Sequence, residues 1–197
     1  MVSQADQAIE LINITGVATV HDNWIVTLEE GSAVHVHDSE QAVITDNIAF
    51  TPAGGAVYLQ SVKEFAVSGN GFESGNYGIR VDGNHPSAAQ GDTKEIMDNT
   101  FISSETAINL DEADNIVVLH NTIRSDAWVD NNGENNVFND ETSGNTYYFA
   151  DNTPSWDVYD IVDSNGDNWA DEGGDLPFSQ GVLYDADNDE SPWWGGG

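Results

Sequence analysis

Five groups of residues carry side chains that could do chemistry. His35 and His37 stand two apart. On an extended strand that spacing puts both imidazoles on one side, where they could face one metal ion with a third ligand from elsewhere. Asp82 and Asp111 are a potential acid and base pair, because carboxylates brought side by side push each other's proton affinities apart. Tyr58, Gln60, Arg80 and Asn109 supply the aromatic, amide and guanidinium groups that a sugar-binding strip wants. Asp163, Asn165, Asp167 and Asp171 place oxygen ligands at alternating positions ahead of a final acidic pair, Asp171-Glu172, which is the chemistry of a hard cation such as calcium. Trp193 and Trp194, followed by three glycines, each have about 150–250 Å² of surface to bury, and so offer an association anchor.

Whether these groups meet depends on the elements that carry them, and the organising element is an internal repeat. Four segments share a small residue, a branched apolar residue, any residue and another apolar one: Ala33-Val34-His35-Val36, Ala56-Val57-Tyr58-Leu59, Gly78-Ile79-Arg80-Val81 and Ala107-Ile108-Asn109-Leu110. An Asn recurs thirteen residues after the first branched position, as Asn47, Asn70 and Asn121. After Ile79 the matching Asn99 comes seven residues late, and the excess falls in a Pro- and Gly-containing stretch at 84–93, read as a loop inserted into one rung. The starts are 23, 22 and 29 residues apart, and the last spacing becomes 22 once the insertion is removed. A constant period of this size means stacked coils. Within a rung the apolar residues alternate, as in Ala42 and Ile44, Phe65 and Val67, or Ile116 and Val118, the period of short strands with one buried face. The recurrent Asn can bond its equivalents in neighbouring rungs and tolerates the left-handed backbone conformation of a sharp corner. Phe72, Phe101 and Ile123 follow two positions after an Asn, as a third inward layer requires.

Over 31–139 these repeats resemble those of the pectate-lyase-like superfamily, of nitrous-oxide-reductase copper-accessory proteins and of haloarchaeal surface proteins. The resemblance implies a right-handed, single-stranded parallel β-helix, in which one sheet often lines a substrate cleft. It specifies a fold and not an activity, since such repeats serve lyases, hydrolases, tailspikes and adhesins. The expected architecture is all-β, about five rungs. Its parts are an N-terminal cap and irregular first rung (1–30), the repeats (31–139), an aromatic-rich C-terminal cap with the acidic loop (140–184) and an acidic Trp-Gly tail (185–197).

With Val34 and Val36 pointing inward, the intervening residues form two outward columns. One is His35, Tyr58, Arg80 and Asn109, the other His37, Gln60, Asp82 and Asp111, with neighbours about 4.8 Å apart. Ligand binding is expected on this face. If the protein were an enzyme, Asp82 and Asp111 would be its catalytic pair, although two stacked Asp are also what chance would place in so acidic a chain. His21, His85 and His120 fall in other rungs, so the His35/His37 pair reads first as two exposed strand residues with no specific role, and a transition-metal site is the lesser alternative. The 163–172 segment looks like the calcium loops of EF-hand and dockerin type, but Gly166 occupies the fourth place rather than the sixth and Gly174 stands where a bidentate Glu belongs. It is either a structural calcium site or a plain acidic turn.

The chain has 197 residues, 35 acidic against 4 basic, and a formal charge of −31. No basic patch for nucleic acid or anionic lipid can be built from four scattered cations, and no stretch is apolar enough for membrane insertion. With 39% hydrophobic residues the chain folds, and its self-repulsion is relieved in molar salt, where the screening length is about 3 Å. This acidity resembles that of haloarchaeal proteins; an acidic calcium-binding extracellular protein is the other reading. There is no Cys, hence no disulfide and no thiolate metal site.

The expected function is a non-enzymatic structural or binding protein of an exposed surface: a decoration, spike or fibre on the virion of a haloarchaeal virus, binding host-surface glycans. The absence of a signal-like segment in 1–6 favours the virion over the extracellular or cell surface of a halophile. The alternative is a secreted polysaccharide-active enzyme, a glycoside hydrolase or uronate lyase. Expected partners are other virion or cell-surface proteins and further copies of the chain, a trimer by resemblance to tailspikes, held through Trp193 and Trp194.

Overall fold

A computed structural model describes residues 2–3, 7–138 and 144–148. The expected cap and tail beyond 148, the oxygen-ligand loop at Asp163, Asn165, Asp167 and Asp171, and the Trp193-Trp194 anchor lie outside the described residues.

The strands are β1 (Val2–Ser3), β2 (Gln7–Ile12), β3 (Val17–His21), β4 (Trp24–Thr27), β5 (Ser32–Thr45), β6 (Ile48–Thr51), β7 (Gly55–Ser68), β8 (Gly71–Ser74), β9 (Tyr77–Asp82), β10 (Lys94–Met97), β11 (Thr100–Asp111), β12 (Val117–Leu119), β13 (Thr122–Asn131) and β14 (Thr146–Tyr148). All pair in parallel with strands of adjacent turns, giving a β-solenoid of about 6 turns. Three faces run along it. The first is β2, the leading half of β5 and of β7, β9, and the trailing halves of β11 and β13. The second is β3, the trailing halves of β5 and β7, β10 and β12. The third is β4, β6, β8, the leading parts of β11 and β13, and β14.

Each face sends alternate residues inward. Val34, Val57, Ile79 and Ile108 stack on the first face, Ile44, Val67, Ile96 and Val118 on the second, and Ile25, Ala49, Phe72, Phe101, Ile123 and Tyr147 on the third, all buried. The Phe72 and Phe101 rings lie 5.6 Å apart and tilted, a favourable aromatic contact. The third inward layer expected from Phe72, Phe101 and Ile123 is therefore present.

Polar groups at the corner between the second and third faces are satisfied by an Asn ladder. In Asn23, Asn47, Asn70, Asn99 and Asn121 both the backbone N–H and Nδ2 donate to Oδ1 of the next Asn, ending on Asn145, at 2.9–3.0 Å. Nδ2 of the interior members also donates to carbonyls of the preceding turn, as Asn70 does to Ile44. Asn23 extends the series into the expected first rung and Asn145 into a further turn at the other end, which is why about 6 turns stand where about five were expected. The left-handed conformation expected of the ladder Asn falls instead on the residue before it: Asp22, Asp46, Gly69, Asp98 and His120 all have positive φ. A second left-handed column, Asn13, Asp38, Ser61, Gly83 and Glu112, turns the chain out of the first face.

The insertion at 84–93 leaves the solenoid at this second corner. Its base is fixed by Lys94, 5% exposed, whose Nζ donates to Asn84 Oδ1 at 2.7 Å and to the Asp114 carbonyl at 3.0 Å. Asn84 Nδ2 in turn donates to the Glu112 carbonyl and to Asp114 Oδ2. Burial lowers the proton affinity of Lys94, while Asp114 and Asp92 oppose that shift.

Candidate functional site

On the first face the inward Val and Ile positions fix the register, and the register aligns the residues between them. His35 pairs with Tyr58, Tyr58 with Arg80 and Arg80 with Asn109; His37 pairs with Gln60, Gln60 with Asp82 and Asp82 with Asp111. Both outward columns are thus continuous, and the first runs on into neighbouring turns through Glu10 before His35 and Asp130 after Asn109.

The first column is a ladder of stacked rings. The His35 imidazole lies parallel to the Tyr58 ring, with centroids 4.5 Å apart and planes 9° apart. The Arg80 guanidinium carbon lies 5.3 Å from the centre of the same ring, within cation–π range. Asp82, from the second column, ties the ladder down: Tyr58 O–H donates to its Oδ2 at 2.6 Å and Arg80 Nε to its Oδ1 at 2.7 Å. Burial, and then the bond to Asp82, push the Tyr58 phenol up to about 12, so it stays a donor across physiological pH. Arg80's own bond to Asp82 raises the proton affinity of the guanidinium.

Tyr58 therefore meets His35 and Arg80 across its ring and offers its edge outward, rather than standing as an open platform. With both Asp82 oxygens accepting bonds inside the column, Asp82 positions Tyr58 and Arg80. Asp111 is its register partner in the next turn, and the described residues give this pair no arrangement that sets one oxygen apart as a proton donor.

Glu10, Tyr77 and Ser32 belong to this face but were missed in the sequence reading. Tyr77 reaches back over Gly55 to Ser32, its hydroxyl 2.8 Å from Ser32 Oγ, and meets Tyr58 edge-on at 6.5 Å. A Cβ on Gly55 would fall within 2.1–2.6 Å of the Tyr77 ring, so the glycine makes room for the tyrosine. Burial also raises the Tyr77 phenol. The available signal was a Gly one turn below an aromatic at the start of a repeat. Glu10 could have been found by extending the column one turn back through Ile9 and Leu11, which pair with Val34 and Val36.

The imidazole pair does come together, with His35 and His37 ring centres 4.9 Å apart. The His35 side chain is 12% exposed, and neither ring nitrogen has a hydrogen-bond partner among the described residues. Glu10 Oε1 stands 3.9 Å from His35 Nδ1 and 3.8 Å from His37 Nε2, beyond hydrogen-bond reach. Burial first, and then the neighbouring His37, lower the proton affinity of His35, against the pull of Glu10 and the Gln60 side chain. His21 lies beside Asp22, His85 caps Ser87 in the inserted loop and His120 lies 3.6 Å from Asp98. None of the three adds to the pair on the first face.

Residues 2–155 match the family described as "Periplasmic copper-binding protein (NosD)". No curated protein and no solved structure matches the chain. The copper of that description can be tested against the donors present. The chain has no Cys, and among the described residues no three His, Cys, Asp or Glu side chains are arranged to hold a metal ion. The described residues do not fit a copper centre. No helix among them is long and apolar enough to cross a membrane.

Proposed function

We propose, from the premise that this chain belongs to the NosD family, that it is a non-catalytic binding protein of an extracytoplasmic surface whose first face takes a glycan. The observation that supports the reading is the ordered strip itself. Tyr58 and Arg80 are held by Asp82, with Gln60, Asn109 and Asp111 in register beside them. Side chains already locked in place lose little entropy on binding a ligand. A polyol chain lying along the solenoid would find an imidazole, amide or carboxylate group at each of these turns, spaced about 4.8 Å apart.

The charge of the strip narrows the class. Glu10, Asp82, Asp111 and Asp130 stand against the single cation Arg80, which is already paired. A uronate would meet repulsion here, so the ligand is a neutral or amino-bearing glycan. The enzyme alternative is the weaker reading because Asp82 is committed to Tyr58 and Arg80. The setting we propose is the envelope of a halophile or the surface of a virion that infects one. The acidity supports high salt, and immunogold labelling of envelopes and virions distinguishes the two surfaces.

Calorimetric titration in molar KCl with neutral, amino-bearing and uronate oligosaccharides tests the proposal. Neutral or amino-bearing chains should bind, and Tyr58→Ala or Arg80→Ala should weaken them by about tenfold or more, the loss typical of a well-packed aromatic or Arg contact. No reducing ends or unsaturated uronates should appear. Preferential binding of the uronate, or turnover that stops in Asp111→Asn, would overturn the assignment.

A further inference from the structure

We infer that this member of the family does not carry copper: its imidazole pair belongs to the ring ladder and is not a metal centre. Copper sites are built from imidazole, thiolate and thioether donors. In this chain those donors are five His and two Met, with no Cys. All five His and Met97 are among the described residues; the sequence beyond residue 138 holds no His, Met or Cys, and 1–6 holds only Met1. The oxygen-rich segment at 163–172 would suit a hard cation and not copper.

The donors are dispersed by the fold. His35 and His37 stand on the first face, and the further ligand types beside them are carboxylates, Asp38 Oδ2 at 3.2 Å from His37 Nδ1 and Glu10 Oε1 at 3.9 and 3.8 Å from the two rings. Met97 ends β10 on the second face, and His120 lies just past its register partner Leu119. His21 is on the same side as Met97, but Thr45 and Ser68 intervene in its column. His85 is in the inserted loop. Among the described residues no third imidazole and no thioether reaches His35 and His37 on their face. His35 itself is held with both ring nitrogens enclosed, parallel to Tyr58 and beside His37. To ligate a metal it would have to leave that stack and release the ring on which Arg80 rests.

The test uses the full chain in molar sodium sulfate, which avoids the competition of chloride for cuprous ion. Cu(I) is titrated against a chromophoric chelator. Cu(II) is followed by electron paramagnetic resonance, because 35 acidic side chains will hold some cupric ion through oxygen. The chain should withhold less than about 0.1 equivalent of Cu(I) from the chelator, as expected without a soft-donor site. The Cu(II) spectrum should show oxygen coordination, unchanged in His35→Phe/His37→Phe. Close to one equivalent of Cu(I) withheld by the native chain would overturn the inference without recourse to any variant. So would nitrogen coupling on Cu(II) that vanishes in the double variant while its melting curve matches the native one.

Discussion

Asn70→Ala removes one interior rung of the Asn ladder, and the structure gives the size of the effect. Asn70 is 2% exposed. Its Oδ1 accepts the backbone N–H of Asn47, itself 1% exposed, at 2.9 Å. With alanine at 70 that N–H has no acceptor, whereas Asn47 Nδ2 keeps the Val20 and Thr45 carbonyls. On the other side Asn99 Oδ1 keeps the backbone N–H of residue 70, while the Ile44 and Ser68 carbonyls each lose one donor. A buried orphaned donor costs about 1–3 kcal/mol and each net hydrogen bond about 1, so the expected loss is about 2–4 kcal/mol. Asn23→Ala is the internal control. It loses only the Nδ2 bonds to the exposed His21 carbonyl and to Asn47 Oδ1, and the backbone bond from residue 23 to Asn47 remains, so it should cost about 1 kcal/mol or less. Urea unfolding followed by far-ultraviolet circular dichroism, at fixed molar KCl, measures both. An Asn70→Ala midpoint equal to or above that of Asn23→Ala would refute the claim that satisfied polar groups at this corner hold the turns together.

Gly55→Ala should push the Tyr77 ring off Ser32, visible as a changed near-ultraviolet spectrum with the β-sheet signal intact, and should weaken glycan binding as well; an unchanged spectrum would mean that the ring is not seated over Gly55. Because His35 binds its proton less readily folded than unfolded, the unfolded chain takes up the extra proton as pH falls below about 6.5, and stability drops down to the lowered folded value. His35→Phe should keep the stack and flatten that part of the stability profile measured by urea titration in molar KCl; a native-like slope in the variant would assign the pH dependence elsewhere. Dilution from molar to tens of millimolar KCl should lower the melting temperature markedly through unscreened repulsion, and a constant melting temperature would remove the high-salt reading. Asn84→Ala should speed amide exchange in the inserted loop while leaving the ladder amides protected; equal exchange in both proteins would mean that the Lys94 clamp does not hold the loop.

The fold was legible because the repeat repeats. The Ala/Gly-branched-X-apolar segments set the register, and with the register came both columns of the first face, residue for residue. Side-chain reach was not legible. Tyr77 spans a full turn to Ser32 only because Gly55 leaves the space, and no pattern within a single rung encodes that contact. Nor does alternation distinguish a ring that presents its flat side from one sandwiched along the axis, as Tyr58 is by His35 and Arg80. The six-member extent of the ladder was missed because the apolar motif is degenerate at both ends, although the Asn spacing continues to Asn23 and Asn145. The left-handed position was expected one residue late, since Asn tolerates that conformation and drew attention away from the Asp before it.

The corner geometry also bears on why a chain would be so rich in aspartate in particular. Of the ten non-glycine residues with positive φ among the described residues, seven are Asp or Asn, the side chains that tolerate this conformation best after glycine. Asp22, Asp38, Asp46 and Asp98 therefore serve as turn formers as well as surface charge, and glutamate would meet only the second need. A shift in composition toward Asp is then partly an architectural cost-free choice in a solenoid, where every turn demands such corners. It follows that the charge of this protein can be lowered at those four positions by Asn or Gly with the bends intact, whereas β-branched residues there would distort the coil.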